Sequence, residues 1–340
     1  MQYLYAKNLI RMTKVLGMGN ALIDVLAVIE NDNILELLGL PKGSMQLIDE
    51  SKLKIISKEI DKLDKSIVSG GSASNTIIGL AHLGIQTGFI GRIGTDFYGT
   101  YYKDDLRKNN VESHLTEVNE ASGVASTFIS TDGERTFGTY LGAAALLQAG
   151  ELKKEDFTGY DYFYIEGYLV QSHELIKKAI ILAKEAGATI MLDMASYNVV
   201  EENRDFLLEI IPEYVDIIFA NEEESKALLG SEPEKAISEL AGMVNIAIVK
   251  TGEKGSWIQQ GEEKVFVPAH KVNCVDTTGA GDLYAAGFIY GLINDCTLET
   301  CGKIGTLLAA NVIEGIGAKI YENKWSELNN EISNMIANGK

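Results

Sequence analysis

The stretch DTTGAGDLYAAGFIYGLI, residues 276–293, joins a loop of small residues to an apolar run that favours a helix. Gly279, Ala280 and Gly281 carry almost no side chain, so their backbone N–H groups can approach an anion closely. At a helix N-terminus these amides also lie at the positive end of the helix dipole. The stretch therefore predicts a phosphate-binding cradle.

Asp282 closes this loop, and no basic residue beside it in the loop could neutralise its carboxylate. A carboxylate beside a phosphate site is unfavourable unless it accepts a proton from another group. Asp282 is therefore a candidate general base. The alternative interpretation is an acidic N-cap on a glycine-rich turn.

From about residue 160 onward, short apolar strands alternate with amphipathic helices. This alternation indicates βαβ units and predicts an α/β fold with a mostly parallel sheet covered on both faces. Asn221 and the run Lys250-Thr251-Gly252 follow predicted strands. They should lie at the carboxyl edge of the sheet, where such sheets bind ligands.

A second glycine-rich segment, SIVSGGSASN at residues 66–75, leads from a predicted strand into a helix. Gly70 and Gly71 would let a ligand approach the backbone, and Asn75 can both donate and accept hydrogen bonds. A tight strand-to-helix turn explains the same residues equally well.

The first predicted strand, KVLGMGN at residues 14–20, ends at Asn20, and Asp24 follows four residues later. This segment is not a dinucleotide-binding fingerprint. Leu22 stands where the third small residue is required, and a strand pattern follows instead of a helix. On its own, the pair is more typical of a turn than of a site.

Two segments, 22–50 and 111–141, have β character and are predicted to pair into one small lid sheet. The turn Asp132-Gly133 predicts a hairpin with Arg135 just beyond it. A polar helix is predicted at 50–64. Residues 12–340 are thus predicted to form a single domain with a β-lid, and residues 1–11 a loose extension.

The chain of 340 residues carries 30 basic and 48 acidic residues, a formal charge of −18. Such a surface repels phosphodiester backbones and anionic lipids, which argues against nucleic acid and membrane partners. The three cysteines (Cys274, Cys296 and Cys301) lack metal-binding spacing and are expected to be reduced thiols. Without an 18-residue apolar run or a signal-peptide pattern, a cytoplasmic location is expected.

Taken together, four motifs in this order resemble the ribokinase (PfkB-type) family of sugar and nucleoside kinases, from about Lys14 to Ile320. They are the Gly-Gly-x-x-x-Asn helix start, the NxxE at Asn221–Glu224, the glycine turn after VKTG, and DTTGAGD. Within the family, GMGNALID, TDGERTFGTYLGAA and PEYVDIIFANEEE are most similar to the adenosine kinase branch. The GxxxxGK[ST] pattern of P-loop enzymes is absent.

The resemblance implies a doubly wound α/β domain with a β-lid that transfers the ATP γ-phosphate to a hydroxymethyl group. It implies Asp282 as base, an anion hole at Gly279, Ala280 and Gly281, and phosphate contact by Arg135. The implied acceptor-binding residues are Asn20 near a purine, a stacking Tyr168, and Asp24, Gly70, Gly71 and Asn75 around the sugar hydroxyls.

On the nucleotide side the resemblance implies ATP and Mg²⁺, with Glu224 acting on the metal through water. The implied ATP-binding residues are Asn221, Glu224, Lys250, Thr251, Gly252, Gly255 and Asn311. Asp276 and Gly317 resemble the family's monovalent-cation loop, which suggests K⁺.

Two residues depart from the family pattern. Lys250 stands where a threonine is usual, which bears on nucleotide affinity or donor choice. Glu166 replaces a small residue before the stacking aromatic, which bears on the preferred base or sugar.

The predicted function is ATP-dependent phosphorylation of a ribonucleoside 5′-hydroxyl, adenosine first. The alternative is a kinase of a free sugar such as ribose, a ketohexose or a ketodeoxysugar acid. A non-catalytic nucleotide-binding regulator is the third hypothesis, disfavoured by the intact cradle and Asp282. The expected partners are small molecules, with the chain a monomer or homodimer.

Overall fold

The computed structural model describes residues 12–132 and 134–339. The predicted extension at residues 1–11 and Gly133 of the predicted turn lie outside these residues. The described chain contains fourteen strands, β1 to β14 in chain order: Lys14–Met18, Leu22–Val28, Met45–Leu47, Lys65–Gly70, Gln86–Gly94, Val111–Val118, Gly123–Ile129, Arg135–Tyr140, Tyr162–Glu166, Thr189–Asp193, Ile217–Asn221, Ile246–Lys250, Gly255–Gln260 and Glu263–Pro268.

The same residues contain thirteen α-helices, α1 to α13: Asn33–Leu38, Glu50–Ile60, Ser72–His82, Phe97–Lys108, Lys154–Phe157, His173–Glu185, Tyr197–Glu202, Arg204–Tyr214, Glu222–Leu229, Pro233–Ala241, Ala280–Ile293, Leu298–Ile313 and Trp325–Asn338. Short 3₁₀ turns occupy Gly142–Leu146, Ala149–Glu151, Gly167–Gln171, Gly252–Lys254 and Glu322–Lys324. None of these described helices has the length and apolar character needed to cross a bilayer.

The larger sheet has nine strands in the order β14-β13-β12-β11-β10-β9-β1-β5-β6. Its strands are parallel from β12 to β6, and an antiparallel hairpin of β13 and β14 completes one edge. Successive side chains of β1 point into the two hydrophobic cores on opposite faces of the sheet. Val15 belongs to the core that contains buried residues of α3, α11 and α12, whereas Leu16 belongs to the core that contains buried residues of α6, α8 and α10. The predicted α/β fold, with a mostly parallel sheet and helices on both faces, is confirmed.

The carboxyl edge of this sheet collects polar residues from several strands. Asp193 at the end of β10 pairs in register with Glu166 at the end of β9. Asn221 at the end of β11 pairs with Lys250 at the end of β12. The strand order reverses beside β1, which lies between β9 and β5. Such a switch point opens a crevice at the carboxyl ends of the strands, which is where ligands bind.

The smaller sheet has five strands in the order β3-β8-β7-β2-β4. The predicted lid boundaries are wrong in two respects, because residues 111–118 form β6 at the edge of the larger sheet and the lid strand β4 lies outside both predicted segments. An edge strand is solvated on one side, so its polar sequence resembles that of an exposed lid strand. The fifth lid strand is β4, and the segment 22–50 also contains the helix α1.

Register decides which lid residues face the cleft. Asp24 on β2 pairs with Ala125 on β7, which pairs with Thr139 on β8. Directly paired residues share a face, and so do residues two or four apart on one strand. Arg135, four residues before Thr139, therefore lies on the same face as Asp24. Ile23, between Leu22 and Asp24, points the other way into the core.

Candidate active site

The glycine-rich loop turns directly into α11, and its first residues need glycine for steric reasons. Gly279 has φ of +77°, and a Cβ there would lie 2.7 Å from Cα of Ala318. Gly281 is the second residue of α11, and a Cβ there would lie 3.1 Å from Nζ of Lys250. The first amides of an α-helix have no partner within the helix. The amide of Ala280 donates to the carbonyl of Thr277 over 3.2 Å, whereas the amides of Gly279 and Gly281 have no hydrogen-bond partner among the described residues and can donate to an anion.

Asp282 lies in the first turn of α11, but it does not cap the helix. Gly279 occupies the N-cap position and no side chain caps it, so the N-cap interpretation of Asp282 is wrong. Its carboxylate instead accepts hydrogen bonds from Oγ of Ser72 (2.7 Å) and Nδ2 of Asn75 (2.9 Å). Burial raises the pKa of Asp282 to about 6, against the opposing effect of these two bonds. A carboxyl with this pKa can accept a proton near neutral pH.

Gly70, Gly71 and Asn75 lie where β4 turns into α3. A Cβ on Gly71, whose φ is +96°, would lie 2.2 Å from the carbonyl oxygen of Asn20, and one on Gly70 would lie 2.3 Å from Oδ2 of Asp24. Asn75 was expected to bind sugar hydroxyls, yet its Nδ2 is committed to Asp282. Its buried Oδ1 has no partner among the described residues.

Asp24 faces this junction from the lid. None of the hydrogen bonds formed by residues 12–132 and 134–339 involves its carboxylate, although the group is largely withdrawn from solvent. Burial raises the pKa of Asp24 to about 7, nearby Lys319 opposes this, and Asp282 adds to it. Lys319 is held by Ser69 and by Asp105 (2.6 Å). Sequence reasoning missed Lys319, because its approach to Asp24 depends on how the C-terminal loop packs.

Arg135 reaches from the lid into the loop before the cradle. Its Nη2 lies 2.5 Å from Oδ2 of Asp276, and its Nη1 donates to Oγ1 of Thr278 over 3.0 Å. The amides of Thr278 and Gly317 also donate to the Asp276 carboxylate. These contacts leave little of that carboxylate for a monovalent cation, which would depend on carbonyl oxygens of the loop. Binding of such a cation stays a prediction.

Asn20 and Glu166 form a buried pair beside the first turn of α3. Oε1 of Glu166 accepts from Nδ2 of Asn20 (2.7 Å) and from its backbone N–H (3.2 Å), and Oε2 accepts from the amide of Ala73 (3.1 Å). Burial raises the pKa of Glu166 to about 7, while these donors favour the charged form. Tyr168, partly buried, follows in the next turn. Glu166 therefore fixes the orientation of the Asn20 amide.

The nucleotide-side residues form two tight local structures. Asn221 caps α9 and Glu224 bonds back to its backbone N–H (2.8 Å) and Nδ2 (2.8 Å). Thr251 bonds through both its amide and its Oγ1 to the carbonyl of Gly255. This closes the loop containing Gly252, which is exposed and has φ of +55°.

Asn311 forms no hydrogen bond with either of these local structures in the described chain. Its Nδ2 donates to the carbonyl of Leu307 one turn back in α12 (3.0 Å), and Nζ of Lys324 lies 3.5 Å from its Oδ1. No hydrogen bond joins it to the other predicted ATP-binding residues in the described chain. Its assignment to ATP remains a prediction.

The acidic groups at this edge are suitable for a magnesium ion that keeps its water ligands. The described residues contain no cluster of three or more metal-ligating side chains. Mg²⁺ in kinases typically binds substrate phosphates and several waters, with few direct protein ligands. Glu224 retains lone pairs that can accept from such waters. Burial raises its pKa above the ordinary value, with Lys250 opposing this shift.

Lys250, which stands where the family pattern has a threonine, forms an ion pair that the sequence did not reveal. Nζ of Lys250 lies 3.1 Å from Oδ2 of Asp193, and both side chains are largely buried. The two residues are 57 positions apart and meet because β10 and β12 flank β11 in the sheet. The only available signal for Asp193 was its place at a strand end.

Known proteins share this arrangement of sheets. A probable sugar kinase from Rhizobium etli CFN 42 superposes with a TM-score of 0.85 at 31% identity, covering 96% of this chain and 99% of that one. An adenosine kinase from Sinorhizobium meliloti gives 0.84 at 32% identity, covering 94% and 99%. Adenosine kinase 2 of Arabidopsis thaliana is 27% identical over 333 residues, 90% of this chain and 95% of that protein.

The sequence profile of the pfkB family of carbohydrate kinases matches residues 57–324, which include the turn from β4 into α3, the cradle and Asp282. Relatives of both the sugar kinase and the adenosine kinase type share the fold over nearly the whole chain. The protein is therefore a member of the pfkB family of carbohydrate kinases, a sugar or nucleoside kinase that transfers phosphate to an alcohol group.

Proposed function

We propose that the protein phosphorylates the 5′-hydroxyl of a ribonucleoside, adenosine first, with Mg-ATP as donor. The observation that carries the nucleoside assignment is the presence of two separate polar anchors in one cleft. Asp24 faces the cleft from the lid, beside Gly70 and without a hydrogen-bond partner in the described chain, and Asn20, paired with Glu166, lies beside Gly71. Two anchors suit an acceptor longer than one sugar ring.

In the proposed reaction Asp282 accepts the proton of the 5′-hydroxyl. The hydroxyl oxygen then forms a bond to the γ-phosphorus as the bond to the ADP oxygen breaks. Ser72 and Asn75 hold Asp282 in place for this step. The first amides of α11 stabilise charge on the transferring group, and Arg135 adds positive charge from the lid. Bound Mg²⁺ would neutralise phosphate charge, with Glu224 contacting it through water.

Asp24 would accept hydrogen bonds from the ribose hydroxyls. Tyr168 would stack on the base, and Asn20 would hydrogen-bond to it. A buried carboxylate that loses its hydroxyl partner costs about 1–3 kcal/mol, so analogues without the 2′-hydroxyl should be poor acceptors. Similarity to adenosine kinases of Sinorhizobium meliloti and Arabidopsis thaliana supports this assignment.

The second candidate is a kinase of a free sugar in the same cleft. It is favoured by Glu166, which places a buried carboxylate where the family pattern has a small residue. It is also favoured by similarity to the probable sugar kinase of Rhizobium etli CFN 42. Under this hypothesis the roles of Asp282, the cradle and Arg135 are unchanged.

An acceptor panel separates the two. We would measure ADP formation with Mg-ATP and equal concentrations of adenosine, 2′-deoxyadenosine, ribose, fructose and a ketodeoxysugar acid, each with and without K⁺. Adenosine should be the best acceptor, 2′-deoxyadenosine much weaker and ribose poor. A free sugar that outperforms adenosine would overturn the nucleoside proposal and support the alternative.

A further inference from the structure

Lys250 places a positive charge among the carboxylates of the catalytic cleft. Its Nζ lies 3.1 Å from Oδ2 of Asp193 at the end of β10, which is separated from β12 by β11 in the sheet. Burial alone would lower the pKa of Lys250, but the nearby Asp193 and Glu224 carboxylates raise it above its ordinary value. The side chain therefore stays protonated at neutral pH.

The ammonium of Lys250 also lies against the phosphate cradle. A Cβ built on Gly281 would be 3.1 Å from Nζ, which places the ammonium beside the second residue of α11. An ammonium has three N–H donors, and Asp193 is its one hydrogen-bond acceptor among the described residues. Two donors are therefore free for a ligand at the helix N-terminus.

Two hydrogen bonds orient the Asp193 carboxylate, which in turn orients Lys250. It is 4% exposed, its Oδ1 accepts from the amide of Ala195 (3.0 Å), and its Oδ2 also accepts from the hydroxyl of Tyr164 (3.3 Å). Ala195 has φ of +66°, a left-handed conformation that is unfavourable for a non-glycine residue. This strained turn positions an amide on the carboxylate that in turn bonds to Lys250.

We infer that Lys250, oriented by Asp193, donates hydrogen bonds to a non-bridging oxygen of the phosphoryl group during transfer. The inference rests on phosphoryl transfer in this cleft but not on which acceptor is used. The acceptor oxygen bonds to phosphorus, the bond to the ADP oxygen breaks, and the acceptor proton goes to Asp282. Lys250 keeps its proton throughout. Lys250 is thus a catalytic residue and Asp193 a positioning residue.

The competing explanation is that Lys250 only neutralises Asp193 and Glu224. Three variants distinguish the two: Lys250→Met, Lys250→Arg and Asp193→Asn, with the exposed Lys303→Met on α12 as matched control. On the wild-type protein's best acceptor, Lys250→Met should lower kcat about 10²–10³-fold, the usual loss for one transition-state donor. The affinity for Mg-ATP, measured by calorimetry, should change less than about tenfold. Lys250→Arg should retain part of the lost rate.

The pH dependence of kcat/KM reports whether the charges of Lys250 and Asp193 act on Asp282, and this effect does not require contact between Lys250 and the phosphoryl group. The carboxylates of Asp24, Glu166 and Asp193 and the ammonium of Lys250 act on Asp282. Lys250 lowers the pKa of Asp282, whereas Asp193 raises it. The acidic limb should therefore move to higher pH in Lys250→Met and to lower pH in Asp193→Asn.

Binding of a transition-state mimic tests the inference without turnover. Mg-ADP with aluminium fluoride imitates the planar transferring phosphoryl group, and its affinity should fall in Lys250→Met far more than that of Mg-ADP alone. Equal losses for both, or kcat within threefold of wild type in Lys250→Met, would overturn the inference. If no acceptor in the panel is phosphorylated by the wild-type protein, the proposed function fails, yet this binding comparison still decides the role of Lys250.

Discussion

Nδ2 of Asn75 donates a hydrogen bond to Oδ2 of Asp282 over 2.9 Å, which joins the first turn of α3 to the first turn of α11. Ser72 makes the companion bond to the other oxygen of the same carboxylate. The residue expected to bind sugar therefore orients the proposed base. Two helix starts that are more than two hundred residues apart in sequence together set the proton affinity of one group.

Asp282→Asn should abolish most turnover while preserving the fold. The amide keeps the volume of the carboxyl but cannot accept the hydroxyl proton, so kcat should fall about 10²–10⁴-fold, roughly 3–5 kcal/mol of barrier. Steady-state kinetics give kcat, and calorimetry with Mg-ATP should show nearly unchanged affinity. Turnover near that of the wild type would refute the assignment of the base.

Ser72→Ala should change the pH at which activity appears. Asp282 must be ionised to act; burial raises its pKa to about 6, and the hydrogen bonds from Asn75 and Ser72 oppose this rise. Loss of one donor raises that pKa, so the acidic limb of kcat/KM should move to higher pH. The exposed Ser333→Ala on α13 serves as control. An unshifted limb in Ser72→Ala would show that Asp282 does not control this limb.

Arg135→Ala should lower kcat more than it raises the KM for the acceptor. Under the proposed function the guanidinium would contact charge that grows on the phosphoryl group, and not the neutral acceptor. The exposed Arg107→Ala on α4 controls for loss of a surface arginine. If only the stability of Arg135→Ala falls, Arg135 serves merely as counter-charge to Asp276.

Gly279→Ala should disrupt the cradle, whereas Gly150→Ala should not affect it. A Cβ at position 279 would meet Ala318 at 2.7 Å on a backbone with positive φ, but a Cβ at position 150 meets nothing within 4 Å. The left-handed conformation alone costs alanine about 1–3 kcal/mol. Urea denaturation and kcat should both show the loss. Equal behaviour of the two variants would contradict the proposed constraint.

The stability of the ligand-free protein should decrease with rising pH because of Asp24. An acid whose folded pKa is raised binds more protons when folded, so its favourable contribution is complete below the unfolded pKa of about 4 and declines as pH rises. For Asp24 the decline extends to about pH 7. Asp24→Asn should flatten the pH dependence of the free energy of unfolding between pH 5 and 7, relative to the exposed Asp64→Asn. Parallel curves for the two variants would contradict this.

The elements of the main sheet could be predicted because their signals are local. The alternation of strands and helices predicted beyond residue 160 occurs as β9 to β12 with α6 to α10, since the apolar periodicity that predicts each element lies within its own segment. The cradle was predictable for the same reason, because Gly279, Ala280, Gly281 and Asp282 are contiguous. Local sequence thus contains the anion-binding loop and its acidic residue.

Sheet membership was not predictable from the same signals. Residues 111–118 have β character, but whether they pair with β5 or with the lid depends on a partner far away in sequence. Their polar composition suits an edge strand of either sheet. Only the register, such as Thr87 opposite Val111, decides between the two.

By itself the sequence determined most of the strand and helix order, the glycine-rich loop and the candidate base, because backbone conformation there depends on neighbouring residues. Tertiary structure decided the partners: Asn75 and Ser72 on Asp282, Arg135 on Asp276, Glu166 on Asn20, and Asp193 on Lys250. These contacts join segments that meet only when the strands take their places in the sheets. The proton affinities and charges of the cleft follow from those contacts, since burial and opposing charges act through space and not along the chain.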